Sequence, residues 1–473
     1  MNKGTAHKSA SACGRGVAPR NPQARKIIVE SARPFRDNTA MTTSTKPTPA
    51  FSRRSFLKSA AATTAGAAAM QFVIPSSVHA AGSDSLKIGL VGCGGRGTGA
   101  AAQALAADKG AVLVAMADAF GDRLQSSLAS IKKSASAPDQ VNVAPDRCFV
   151  GLDAYKNLID SGVDVVLLTA APGFRPAHIE YAVQAGKHVF AEKPMATDAP
   201  GVRSVARSAA IAKEKKLALV AGFNGRYTFS TQATIQKIHD GAIGDVVAMY
   251  TAFNTGYLWN HGRKPEWSDM EWQVRNWYYF TWLSGDHLVE QAVHNCDKLA
   301  WVMRDVMPVR ALALGGRQVR TQEQWGHIYD HFAVMYEWPN GARGFLFCRQ
   351  QDGCANDVSD HIMGSNGIAH FGGPGSGITG PNAWKYAGPQ NSGHEHEHVE
   401  MFASIRKANP INNGERMVNS TLISIMGRMA AYTGQVITWE QAMNSQENLL
   451  PEKLEFGPNP TPPVAMPGKT KFI

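Results

Sequence analysis

From Leu86 to Ala221, apolar runs of strand length alternate with stretches of helical period. Leu86–Gly92, Val112–Ala117, Val163–Thr169, His188–Ala191 and Leu217–Ala221 read as strands. Thr98–Ala107, Pro176–Ala185 and Pro200–Lys215 read as helices between them. Pro176 stands in the first turn of its helix, and Gly186 follows the end as a C-cap. Strands and helices in this alternation predict an α/β fold with a parallel, doubly wound sheet. Past Ala221 the pattern changes. Thr228–His239 reads as a helix, Gly241–Asp245 as a turn and Val246–Ala252 as a strand. Asp286–Met303, Glu397–Lys407 and Asn419–Gly434 read as amphipathic helices. The Pro-rich segment Pro451–Ile473 reads as an arm over the surface, an arm over a partner subunit, or a disordered tail.

The chain has 473 residues, 44% of them apolar, enough for two domains with sizeable cores. The pattern divides it into a leader (1–80), a first domain (81–223), a second (224–440) and an arm (441–473). The leader differs in kind. Phe51-Ser-Arg-Arg-Ser-Phe-Leu-Lys58 is a twin-arginine signature, Ala60–Val73 an Ala-rich apolar stretch, and Val78-His79-Ala80 a small-residue cleavage site. The apolar stretch is shorter than the ~20 residues a membrane span needs. A Tat export signal is therefore expected, with Met41 as a credible start, a periplasmic or other extracytoplasmic location, and no membrane insertion. The net charge of +10 belongs to this leader, where 12 basic and 2 acidic residues leave 36 of each elsewhere. The high pI is thus no argument for nucleic-acid binding. Six cysteines occur; Cys13 lies in the leader, and Cys348 and Cys354 could pair. Neither a disulfide framework nor a CxxC zinc pattern is present.

Gly92-Cys-Gly94-Gly95-Arg96-Gly97 fits G-x-G-x-x-G between a predicted strand and a predicted helix. Gly92 allows the tight turn, Gly94 a close approach to pyrophosphate and Gly97 close helix packing, with helix N–H groups aimed at the phosphates. Asp118 ends the next strand, where an acid accepts the ribose 2′-OH of NAD. NAD is favoured over NADP, although Arg96 or Arg123 could accommodate a 2′-phosphate. Glu192-Lys193-Pro194 closes the strand at His188–Ala191. Ligands bind at the carboxyl ends of such strands, which marks Lys193 as a candidate catalytic cation. Downstream, Glu290 and His294 stand four apart on one predicted helix, and Asp297 three further. A carboxylate that orients a histidine is a usual general-base arrangement.

Gly92–Gly97, Asp118, Val163–Ala171, Ala185–Asp198 and Asn224-Gly-Arg-Tyr227 together resemble the Gfo/Idh/MocA oxidoreductase family. The likeness runs from about Leu86 to about Glu440, nearly all of the chain past the leader. It implies a Rossmann domain followed by an α+β domain with a large, mainly antiparallel open sheet. It also implies a homo-oligomer, dimer or tetramer, joined through that sheet. The family places the Lys of Glu-Lys-Pro beside nicotinamide and substrate, which carries over to Lys193, with Glu192 beside it at the cofactor. Its Asp-x-x-x-His at the substrate carries over to His294 as acid/base; Glu290 stands where the family has Asp.

The resemblance implies an exported NAD(P)-dependent oxidoreductase of a CH–OH group in a sugar, cyclitol or glycoside, with His294 as base, oriented by Glu290 or Asp297. Export implies a tightly bound cofactor recycled within the site. A glycoside hydrolase that oxidises, eliminates, hydrates and re-reduces is the alternative, and a non-catalytic sugar-binding protein the third. Eight Trp and Tyr residues between Tyr257 and Trp282 suit a sugar, a core or an oligomer interface. The tract His394-Glu-His396-Glu-His398 reads as a solvated helix start, and no functional metal is expected.

Overall fold

The structure is a computed structural model that describes residues 85–135, 138–371 and 376–473. The twin-arginine signature, Met41 and the expected cleavage site lie outside the described residues. Six strands form the first sheet: β1 (Leu86–Val91), β2 (Ala111–Asp118), β3 (Cys148–Val150), β4 (Val165–Leu168), β5 (His188–Ala191) and β6 (Leu219–Ala221). Every pair is parallel and the order is β3-β2-β1-β4-β5-β6. The order reverses between β1 and β4, and a crevice opens at their carboxyl ends, where such sheets bind ligands. β4 is buried along its whole length, as helices on both faces require. The helix predicted from Thr98 begins at Gly95, inside the glycine loop itself. The other predicted ends of this region move by one or two residues.

The second sheet has nine strands in the order β14-β13-β12-β11-β7-β10-β9-β8-β15. They are β7 (Val246–Thr255), β8 (Arg310–Gly316), β9 (His331–Glu337), β10 (Arg343–Gln350), β11 (Asp360–Gly364), β12 (Gly367–Phe371), β13 (Gly377–Thr379), β14 (Trp384–Lys385) and β15 (Ile437–Thr438). β7 and β10 pair in parallel, and the remaining pairs are antiparallel. Along β10, Gly344, Leu346 and Cys348 face inward while Phe345 and Phe347 face out, the period of a sheet covered on one side. The helix Gly414–Thr433 lies on the inner face and is buried over almost its whole length, packing both on β8 and on the Ala199–Glu214 helix of the first domain.

Asp286–Met303 is not one helix. It divides into His287–Glu290 and Val293–Val302, with a break at Gln291 and Ala292. The two parts are held by different elements. Asp286 accepts from the His287 N–H at 2.6 Å, the Tyr329 N–H at 2.8 Å and the Tyr432 hydroxyl at 2.5 Å, with its own φ at +77°. Asn295 donates to Thr251 Oγ1 and to Asp360 Oδ1, and Lys298 pairs with Asp360, which fixes the second part to β7 and β11.

Pro451–Ile473 is an arm laid over the same chain. The Gln273 side chain donates to the Asn459 carbonyl at 2.5 Å, the Tyr329 hydroxyl to the Ala465 carbonyl at 3.0 Å, and the Gly468 N–H to the Thr433 carbonyl at 2.9 Å. Among the described residues all five cysteines are free; Cys348 is buried and Cys354 exposed, so that suggested pair is not formed.

Candidate active site

β1 delivers the glycine loop to the crevice. Gly92 has a φ of +94°, and a Cβ there would come within 2.4 Å of the Ala170 nitrogen, so the turn admits no other residue. A Cβ on Gly97 would lie 1.9 Å from the Gly92 carbonyl. On Gly94 or Gly95 it would meet nothing within 4 Å. Two glycines thus serve packing and two face open space. Gly95 opens its helix with no acidic residue in the first turn, which leaves the helix N-terminus to an anion. Thr169, just past β4, ties the crevice by donating to the Val91 and Gly92 carbonyls at 3.0 and 2.6 Å.

Asp118 closes β2 beside this loop. Its carboxylate accepts from the Cys93 N–H at 2.6 Å and the Phe120 N–H at 2.9 Å, and burial raises its pKa. A cleft runs beside them, lined by Gly92, Gly94, Asp118, Arg123, Thr169 and Trp277. Open space over the glycines, an anion-ready helix start and an acid at the strand end fit a dinucleotide, with its pyrophosphate on the loop and a ribose at Asp118. Arg96 pairs with Glu192 at 2.7 Å.

β5 delivers Glu192 and Lys193, and the Lys193–Pro194 peptide is cis. The Lys193 ammonium donates to the Glu290 carboxylate and to the Glu290 carbonyl, both at 2.8 Å. These use two of its three protons and fix its position. The side chains of Lys193 and Glu290 are only 15% and 13% exposed, so the pair is screened little by water. His294 stands in the same neighbourhood: burial first, then the Lys193 charge, holds its pKa well below the ordinary 6.5. No hydrogen bond reaches the His294 ring from any described residue. Its ring packs edge-on against Phe223 with centroids 6.4 Å apart.

Neither predicted carboxylate orients His294 by a hydrogen bond. Glu290 is committed to Lys193. Asp297 is buried away from this group, where its carboxylate accepts from Arg226 Nε at 2.9 Å and from the Ser420 hydroxyl at 2.8 Å. It shares the Val293–Val302 helix with His294, but its partners come from Asn224–Tyr227 and the Gly414–Thr433 helix. Arg175 was not singled out by its sequence context. Fully buried, it donates to the carbonyls of Ala170 and Pro194 and so clamps the ends of β4 and β5 together; burial lowers its pKa to about 10.

The aromatic stretch divides in two. Trp272, Tyr278, Tyr279 and Trp282 are buried in one apolar cluster. Trp259, Trp267 and Trp277 line the open cleft that contains Gly94, Gly95 and Arg96. Gln350 links Tyr278 at 2.9 Å to Gln291 at 2.8 Å and accepts from Arg320 at 2.7 Å. This polar chain begins one residue after Glu290 and carried no signal in the sequence pattern.

Residues 86–223 match the Gfo/Idh/MocA oxidoreductase family, NAD-binding Rossmann fold, and residues 231–370 match the Gfo/Idh/MocA C-terminal domain. Among curated relatives, inositol 2-dehydrogenase 3 of Saccharopolyspora erythraea is 26% identical over 213 residues, 44% of this chain and 54% of that protein. Levoglucosan dehydrogenase of Pseudarthrobacter phenanthrenivorans is 27% identical over 232 residues, 46% of this chain and 57% of that protein. The chain therefore spans little more than half the length of these two relatives. Among solved structures, aldose-aldose oxidoreductase from Caulobacter crescentus superposes with a TM-score of 0.59 at 17% identity, over 75% of this chain and 99% of that one. The fold is shared across that range.

Proposed function

This chain belongs to the Gfo/Idh/MocA oxidoreductase family, and from that premise we propose that it is an NAD-dependent oxidoreductase of a CH–OH group in a sugar or cyclitol. The observation that carries the reading is Lys193. It is a cation fixed at the end of β5 by two bonds to Glu290, with one proton left to donate and a neutral histidine beside it. Relatives named inositol 2-dehydrogenase and levoglucosan dehydrogenase support the substrate class.

Gly94, Gly95 and Asp118 would hold the dinucleotide, and bound NAD would supply the hydride acceptor. The rest falls to the chain. His294 takes the hydroxyl proton on a ring nitrogen that no described residue occupies, which its depressed pKa permits at neutral pH. The Lys193 ammonium donates to the same substrate oxygen and stabilises the negative charge that grows there as the proton leaves. Glu290 keeps the ammonium from swinging away. Arg175 keeps the ends of β4 and β5 in register. Trp259, Trp267 and Trp277 line the cleft, and aromatic rings suit the C–H faces of a sugar.

We also propose export through the twin-arginine route, supported by Phe51–Lys58 and the apolar stretch behind it. That route carries folded proteins, so the dinucleotide would travel in place and be recycled by a second substrate. A homo-oligomer through the outer face of the nine-stranded sheet completes the proposal, supported by the exposed Leu312, Leu314, Phe345 and Phe347.

Mass spectrometry of dinucleotide extracted from the purified protein, with a panel of sugars and cyclitols scored for reduced nicotinamide and for released aglycone, tests the reaction. Bound NAD that is reduced by a polyol without aglycone release is expected. Lys193→Ala should retain the dinucleotide and lose roughly 10²–10³ in kcat. Full activity in Lys193→Ala, or aglycone release without net reduction, would overturn the proposal.

A further inference from the structure

The tract His394-Glu-His396-Glu-His398 does not behave as a solvated helix start. Ser392 caps its helix, Gly393–Arg406, which turns the residues of the tract to different sides. His396 faces out, pairs with Glu400 at 3.2 Å and packs on Phe229. Glu397 and His398 are fully buried. Neither carboxylate oxygen of Glu397 has a hydrogen-bond partner among the described residues, and its nearest basic group is His394 Nδ1 at 3.6 Å. A buried carboxylate without partners is costly. Here it faces a second one. Glu192, His394 and Glu397 each offer a ligand atom, and those atoms all lie within 4.8 Å of one another. Glu192 Oε1 is also buried; its ion pair with Arg96 at 2.7 Å lacks hydrogen-bond geometry, so the oxygen is not saturated.

We propose that Glu192, His394 and Glu397 form a binding site for one divalent transition-metal ion, Zn²⁺ or Mn²⁺. Two carboxylate oxygens and one imidazole nitrogen are a donor set that suits these ions. Bonds of about 2.0–2.2 Å set neighbouring ligand atoms roughly 3–3.5 Å apart, so small side-chain rotations close the present spacing. The far side of the His394 imidazole already has a partner. The Asn224 amide lies 2.6 Å from His394 Nε2. With the amide oxygen turned to accept from Nε2–H, the Nδ1 lone pair faces Glu397. The ion neutralises two carboxylates that otherwise repel each other. Three protein ligands leave a coordination position open, and Glu192 directly precedes Lys193 in the chain. A hydroxyl oxygen of a polyol bound at that position has a second anchor beside the proposed reaction centre. Metal binding itself does not depend on the proposed reaction.

The test uses the full chain as purified. Metal content by inductively coupled plasma mass spectrometry should show about one Zn²⁺ or Mn²⁺ per chain. After chelation, calorimetric titration with ZnCl₂ and with MnCl₂ should restore one site. Glu397→Gln, which keeps size and removes charge, and His394→Ala should each weaken binding about 10–100-fold or abolish it. His396→Ala, outside the cluster, should bind as the unaltered chain does. Bound dinucleotide is measured in the same samples. Its retention in Glu397→Gln shows that metal is lost from a folded, loaded protein. Dinucleotide-loaded protein that takes up neither ion, or equal binding by Glu397→Gln and the unaltered chain, overturns the inference. So does a Glu397→Gln variant that melts higher than the unaltered chain while neither ion raises the melting temperature of the latter, since Glu397 is then a buried neutral acid. A chain that binds the ion stoichiometrically yet oxidises no polyol sinks the proposed reaction and leaves the metal site standing.

Discussion

His294 and Lys193 set a pH signature that neither would show alone. Burial and the Lys193 charge both penalise the imidazolium, so His294 is neutral well below pH 6.5. A base that must be neutral loses activity only as pH falls through its pKa. The acid limb of kcat/KM is therefore expected below pH 6.5. Lys193→Met removes the nearby positive charge, so the limb of its residual activity should move to higher pH, and a histidine NMR titration should follow it. A limb above 6.5, or one that Lys193→Met leaves in place, would remove His294 from the base role. Stability carries the same sign. The unfolded chain binds the proton more readily, so this contribution is present above about pH 6.5 and fades as pH falls below it.

The glycine loop and the broken helix show which features act as whole elements. Gly97 and Gly94 stand three apart in one motif, yet their surroundings differ. Gly97→Ala forces a Cβ against the Gly92 backbone and should lower the melting temperature. Gly94→Ala meets open space and should melt as the unaltered chain does, while bound dinucleotide falls at least about tenfold because the phosphate can no longer approach the backbone. Equal melting losses in both variants would contradict this division. Asp297 joins three elements through Arg226 and Ser420, with both charged side chains 3% exposed. Asp297→Asn leaves Arg226 buried beside a neutral group and should cost about 3–5 kcal/mol in urea unfolding, with Asp305 retaining part of the charge balance. Bound dinucleotide and kcat should change little. A large loss of kcat at unchanged stability would return Asp297 to the chemistry.

At the scale of the whole molecule, the nine-stranded sheet covers one face with helices and leaves the other apolar. Leu314 and Phe347 both lie opposite Ala333, Leu312 and Phe345 both lie opposite Met335, and Tyr250 packs on Phe347 with centroids 5.6 Å apart. The patch is therefore continuous across β8, β9, β10 and β7, and a second copy seated on it would bury it. Light scattering after size exclusion should report a dimer or tetramer, and the double variant Leu314→Lys, Phe347→Lys should shift it toward monomer with bound dinucleotide intact. A monomeric unaltered chain would refute the sheet-face assembly. Among the described residues no helix is long and apolar enough to cross a membrane.

Much of this was written locally. The period-2 and helical runs place β1, β2, β4, β5 and β6, and chain direction alone puts Gly92–Gly97, Asp118 and Glu192-Lys193 at strand ends. Such features depend on backbone preference and on neighbours within a few residues, which a linear pattern records. The same pattern placed Glu290, His294 and Asp297 on one helical face; spacing alone cannot foresee the break, anchored by Asp286 to Tyr329 and Tyr432, that sets Glu290 apart from the other two. It also could not choose partners. Glu290 meets a lysine 97 residues away and Asp297 an arginine 71 residues away. Several carboxylates and cations compete for those pairings, and burial decides among them, since a charge removed from water needs the partner that packing brings to it. Glu397 shows the same limit. Its sequence context is that of a charged helix start; only the helix's packing against the first domain buries it opposite Glu192. Local pattern determined the sheets, the loop and the strand-end lysine, and tertiary packing decided which charges those elements set against one another.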